Sequence, residues 1–403
     1  MSTDLILLII FGIILLIFIL THKKKVEFQK ILGPVVYFVL YRTKIGLVLM
    51  DKLAKRSPRF LNVLAYVSIS VGFIGMAFIL YFLVQGAYGF FFQNQPSPVG
   101  LILPGVKVPG LPTLSFFHWI AAIFILAVVH EFSHGVFARL YDIKIKSSGF
   151  AFFGIILPII PAAFVEPDEK QLVSAPKKQQ LAILSAGSFA NVITALVFLL
   201  ILFFVMTPGV NSVVELKGVT LAIIEDNSPA FEAGMQAGEE VISINNIEIK
   251  DIKEFTGELS KLVPHQKVTI VTKNNTYTPT LGENPDNSSK SYLGVQVTPT
   301  EKGYTADALA KYGKIPLDVF MWLSILVMWA FIANLGVGLF NLLPLGPLDG
   351  GKMFHVALQA IFKDEKKVKV IWGALAIFLV ILLIILLAPQ LYNLLLKPII
   401  GLF

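Results

Sequence analysis

Hydrophobic positions dominate the chain in long blocks rather than in short alternations. Six apolar runs, at about 5–21, 60–86, 116–140, 180–206, 315–344 and 370–396, each approach the ~20 residues that a helix needs to cross a bilayer. Polar residues gather between them. The stretch 22–59 carries ten Lys or Arg, among them Arg42, Lys44, Arg56 and Arg59, and its apolar piece Ile31–Leu40 is too short to cross, so it is expected at the interface. The loop 87–115 has one basic residue, Lys107. Basic loops stay in the cytoplasm, which places 22–59 inside and 87–115 outside.

One apolar block resists the helical reading. Gly149–Val165 (GFAFFGIILPIIPAAFV) is nearly long enough to span, but Pro158 and Pro161 would break a helix there. As a re-entrant hairpin, it keeps Lys144, Lys146, Lys177 and Lys178 inside with the other basic loops, and puts Asp349 on the same face as His130. That arrangement is favoured, with the irregular backbone covered by protein or lining a wet cavity. From about 210 to 300 the pattern changes to short alternating strands and Asn-rich turns near 274–275 and 284–289, a soluble domain inserted between two spans and placed outside by parity.

Composition sharpens this picture. Of 403 residues 56% are hydrophobic and 15% charged, against about a quarter charged in a soluble domain, so the chain is a polytopic α-helical membrane protein of about six spans plus a re-entrant hairpin. The expected organisation is 1–115 for the N-terminal spans, basic segment and external loop; 116–209 for a first core half; 210–302 for the small β-rich domain; and 303–403 for a second core half. The net charge of +7 reflects the cytoplasmic loops and not a nucleic-acid surface. With no cysteine, disulfides, thiolate ligands and a cysteine nucleophile are excluded. The run Leu5–Leu20 follows Asp4 and precedes Lys23–Lys25, the reverse of a signal peptide, and reads as a retained anchor.

Candidate chemistry lies inside the third run, at His130-Glu131-Phe132-Ser133-His134. Residues four apart share a helical face, so two imidazoles can converge on one cation, with Glu131 beside them to take a proton from water. Neutral imidazole suits Zn²⁺, which lowers the pKa of a bound water to about 7. A buried carboxylate in a membrane is costly without a function. A catalytic zinc needs a third protein ligand. Asp349, in the Pro- and Gly-rich turn Asn341–Gly351 that ends the fifth run, is the first candidate, with a capping role as its alternative; His355 is the second candidate.

HEFSHG at 130–135 and N-x-x-P-x-x-x-L-D-G at 341–350, separated by an inserted soluble domain, resemble the site-2 protease family of intramembrane zinc metalloproteases, with the N-terminal spans and Glu166–Glu169 similar to archaeal-type members. The resemblance implies His130, His134 and Asp349 as zinc ligands, Glu131 as catalytic base, and Asn341, together with Asn191 of Ser185–Asn191, near the substrate carbonyl. For either asparagine a helix–helix hydrogen bond is the other reading. The family usually has proline where Ser188 stands. The resemblance also makes Gly149–Val165 a membrane-edge strand for an unfolded substrate. Residues 213–300 resemble a PDZ domain through Asn227–Ala230, Ala233–Met235, Gly238-Glu239 and Val241–Asn245, which implies either docking of a peptide C-terminus or a steric filter. The expected partners are therefore a transmembrane protein substrate and the lipid bilayer, with the active site on the cytoplasmic side. The alternatives are an intramembrane metal transporter, an inactive PDZ-bearing scaffold, and a membrane-anchored protease of soluble proteins.

Overall fold

The computed structural model describes Thr3 to Lys397 apart from residues 24, 33–35, 106–107, 109, 156, 286 and 394–396. It divides into two compact units, residues 204–322 and the remainder.

The larger unit begins with α1 (Thr3–Thr21), then β1 (Val26–Leu32), β2 (Val36–Thr43), α2 (Leu47–Arg56), α3 (Pro58–Phe92), α4 (Phe116–Leu140), β3 (Ile145–Ile155), β4 (Leu157–Pro167), α5 (Glu169–Ser174) and α6 (Lys177–Ile201). Five helical runs are long and apolar enough to cross a membrane: α3, α4, Lys177–Val213, Lys314–Phe340 and Glu365–Leu391. The first expected span coincides with α1, whose apolar part Ile6–Thr21 is shorter than the other five. Lipid supplies no hydrophobic drive between such helices, so small residues let their backbones close up. A Cβ at Gly72 of α3 would stand 2.7 Å from Met353 Cε and 3.2 Å from Ser185 Cβ, and one at Gly75 would stand 2.5 Å from Leu342 Cδ1. α3 thus braces both α6 and the turn that follows Phe340. Ser185 Oγ donates to Ser68 Oγ across the α6–α3 contact at 3.0 Å.

The strands form one antiparallel sheet in the order β1-β2-β3-β4. The hairpin read from Gly149–Val165 is present as β3–β4, and the described residues of the Ile31–Leu40 stretch, 31–32 and 36–40, belong to β1 and β2. The reason is hydrogen bonding. A lone hairpin in apolar surroundings leaves a row of unpaired backbone groups, whereas β2 pairs with β3 from Val36↔Ile155 to Thr43↔Ser148. β4 is the sheet's edge. Val165, opposite Ser148, turns its N–H away from β3, to Glu131. By the two-residue parity of an antiparallel ladder, Pro161, opposite Phe152, also faces outward, so its missing N–H forfeits no ladder bond.

The smaller unit holds a sheet of strands ordered 276–277, 270–272, 240–244, 219–224 and 295–298, with 247–248 paired to 240–244. Asn245 and Asn246, both at positive φ, make the two-residue hairpin turn after Ile244. Val219, Leu221, Val241, Ile244, Phe255 and Ile270 are buried in its core. Glu239 is buried there too, accepting from Thr272 Oγ1 (2.7 Å), Asn275 Nδ2 (2.7 Å) and Tyr277 OH (3.1 Å). Burial pushes its carboxyl upward, but the three donors outweigh burial and hold it below the ordinary value of 4.5. A depressed folded-state pKa stabilises the folded unit fully above 4.5, and that contribution disappears as pH falls through the folded value. The protection factors of 240–244 and 270–272 in the whole chain, hydrogen exchange referred to its intrinsic rate at each pH, are therefore expected to fall with acid, and to lose this acid sensitivity in Glu239→Gln. Equal acid sensitivity in the variant would refute the assignment.

Candidate metal centre

α4 carries His130 and His134 on one face, as their spacing requires, and the helix Asp349–Ile361 delivers the third group from its first residue. Three atoms meet. His130 Nε2 lies 3.0 Å from Asp349 Oδ2, His134 Nε2 lies 3.2 Å from the same oxygen, and the two nitrogens are 3.1 Å apart. Ligand atoms held ~2.0–2.1 Å from a tetrahedral zinc stand roughly 3.3 Å from one another, so this donor set fits the metal. Among the described residues this is the one group of three His, Asp or Glu placed to hold an ion.

The surroundings also suit a metal. His134 Nδ1 meets the Ile183 carbonyl of α6 at 2.7 Å, which fixes the proton on Nδ1 and leaves Nε2 free to ligate. His130 Nδ1 meets the Asn191 amide, also of α6, at 3.1 Å; Nδ2 is the near atom and Oδ1 is buried without a partner. Ligation through His130 Nε2 requires a proton on Nδ1, and turning the Asn191 amide over supplies Oδ1 as its acceptor. Gly187, one turn before Asn191, leaves room for both rings: a Cβ there would lie 2.6 Å from His130 Cε1 and 2.7 Å from His130 Nε2, and would also press on His134 Nε2.

Asp349 is aimed by a turn that only glycine can close. A Cβ at Gly350 would collide with the Leu342 carbonyl and stand 2.6 Å from Leu343 O, and one at Gly351 would collide with the Leu345 carbonyl. Asn341 enters this turn through its backbone, its carbonyl accepting from the Gly350 N–H at 2.8 Å. Trp372 Nε1 donates to the Gly351 carbonyl at 2.9 Å. Glu131, on the next face of α4, accepts from Val165 N–H at 2.9 Å through Oε2. His355 does not join the cluster; its ring packs edge-on against Trp372 at 5.6 Å. Of the residues singled out from the sequence, His130, His134 and Asp349 meet, and the small-residue turn of α6 lies against them. Sequence reasoning missed the Ile183 carbonyl, the Gly187 clearance and the Val165 amide, which carry no side-chain signal.

The model of peptidase family M50 matches residues 118–385, well over half of the chain. An uncharacterized protein of Methanocaldococcus jannaschii is 30% identical over 82% of this chain and 80% of its own length. Zinc metalloprotease RasP of Shouchella clausii is 24% identical over 51% of this chain and 58% of its own, and the regulator of sigma-W protease RasP of Bacillus subtilis is 24% identical over 55% and 61%. Among solved structures, the PDZ domain of an SdrC-like protein from Listeria monocytogenes aligns at 18% identity and a TM-score of 0.18, covering 23% of this chain and 90% of that domain. With its matched segment enclosing HEFSH, the LDGG turn and the spans that carry them, the chain belongs to peptidase family M50, the site-2 proteases.

Proposed function

We propose that this multi-pass membrane protein, a zinc metalloprotease of its family, hydrolyses peptide bonds in or beside the transmembrane segments of other membrane proteins, with His130, His134 and Asp349 holding the metal and Glu131 acting as base. The observation that carries the reading is the meeting of three ligand atoms, two from an apolar helix and one more than 200 residues further along the chain, beside the Glu131 carboxylate. Zinc in that position supplies Lewis-acid polarisation of a carbonyl and of water. Glu131 takes a proton from the attacking water and returns it to the leaving amine. Asn341 steadies the substrate carbonyl, and Asn191 orients His130. β4, the last strand of its sheet, offers an edge to which a locally unwound substrate adds as a fifth strand.

Basic residues in 22–59, 139–146 and 177–178 support a cytoplasmic site, reached by six crossings with α1 as the first. The domain organisation at 116–209, 210–302 and 303–403 follows from the same reading, with the small unit outside as a PDZ-like module that either docks a trimmed substrate end or filters by size. In proteoliposomes, the protein is expected to cut a model transmembrane substrate within its apolar segment, to stop on treatment with a zinc chelator, and to resume on adding zinc. Cleavage that survives complete metal removal would sink the proposal, and zinc flux without cleavage would favour a transporter.

A further inference from the structure

Arg42 lies in β2, far upstream of the matched family segment that starts at residue 118. Its guanidinium touches every other strand of the sheet. Nε donates to Glu27 Oε2 of β1 at 2.8 Å, and Nη1 donates to Ser147 Oγ of β3 at 2.8 Å and to the Glu166 carboxylate of β4. Ser147 Oγ donates to the same Glu166 oxygen at 2.7 Å. The contacts fall where the β3–β4 register shifts, between Ile145 and Ser147. The network adds side-chain ties between strands at this end of β4.

Stability alone gives little reason for such a network. The side chains of Arg42, Glu27 and Glu166 are 37%, 60% and 38% exposed, and ion pairs that open to solvent add little to stability. Position gives a better one. Glu166 follows Val165, whose N–H holds Glu131 Oε2. Fixing residue 166 in a stiff strand fixes its neighbour, and with it the carboxylate beside the ligand cluster.

We propose that Arg42 is a positioning residue for the peptidase reaction, acting through Glu166 to hold β4 so that the Val165 N–H orients Glu131. The inference rests on Glu131 being the base. It gives the N-terminal hairpin, outside the matched segment, a part in catalysis.

The test uses the full chain in proteoliposomes with a model transmembrane substrate. Arg42→Gln and Glu166→Gln are each expected to lower kcat by about 10- to 100-fold, the range of a misplaced catalytic group, with KM and zinc content unchanged. The double variant is expected to be no worse than either single one, because both break the same link. Glu27→Gln, which cuts only the tie to β1, is expected to behave as wild type. Wild-type kcat in Arg42→Gln, zinc loss in step with activity, or an equal drop in Glu27→Gln would each overturn the proposal. Hydrogen exchange of the Val165 amide gives a readout independent of cleavage: slow in wild type and faster in Arg42→Gln. If wild-type protein cuts nothing, the functional reading fails while this exchange still decides whether the clamp exists.

Discussion

Glu131→Gln is expected to lower cleavage of a transmembrane substrate by about 10²- to 10⁴-fold while zinc remains bound, the usual loss on removing a general base. The variant is informative because glutamine has almost the shape of glutamate and keeps a carbonyl oxygen for the Val165 N–H. None of the three atoms that meet at the ligand cluster belongs to Glu131. What disappears is a group able to accept a proton from water. Single-turnover cleavage together with zinc content by mass spectrometry separates chemistry from metal loss. Undiminished turnover would remove Glu131 from the reaction, and a metal-free variant would show that Glu131 is structural.

Gly187→Ala has an equally large expected effect by a different route. The added methyl would occupy the space taken by the two imidazoles, at 2.6 and 2.7 Å from His130 atoms, well inside van der Waals contact. Alanine favours a helix over glycine by ~1 kcal/mol, so α6 is expected to persist and the rings to give way. Their Nδ1 partners, the Ile183 carbonyl and Asn191, sit on the same helix and leave the rings little freedom to move. Zinc affinity is expected to fall by about 100-fold or more, the upper range for disturbing the groups that orient metal ligands. Gly373→Ala is the matched control: it lies in the helix Glu365–Leu391 with nothing within 4 Å of the place its methyl would take, so zinc and activity should be unchanged. Full zinc occupancy in Gly187→Ala would mean that the cradle is looser than its distances indicate.

Much of the site could be read from local pattern. Four-residue spacing puts His130 and His134 on one face of any helix, and an apolar helix makes Glu131 conspicuous. Pro344, Gly346 and Pro347 announced that the fifth run stops before Asp349. Prolines at 158 and 161 argued against a span, and the hairpin is there. The partner of that hairpin was harder to see. β1 and β2 carry an apolar stretch with no clean alternation, because a sheet against apolar surroundings does not need one polar face. Only the pairing of Val36–Thr43 with Ser148–Ile155 shows that about a hundred intervening residues return to the same sheet.

The sequence by itself determined the membrane class, the sites of the apolar helices and the candidates for ligands and base on α4, since each depends on composition or on spacing along one helix. Tertiary structure decided what those residues touch. Which carbonyl fixes His134, why residue 187 must be glycine, and how Arg42 ties four strands beside Glu131 depend on approaches between segments far apart in the chain. Such approaches arise from close packing and from the need to pair every buried backbone group, neither of which leaves a periodic mark on any single segment.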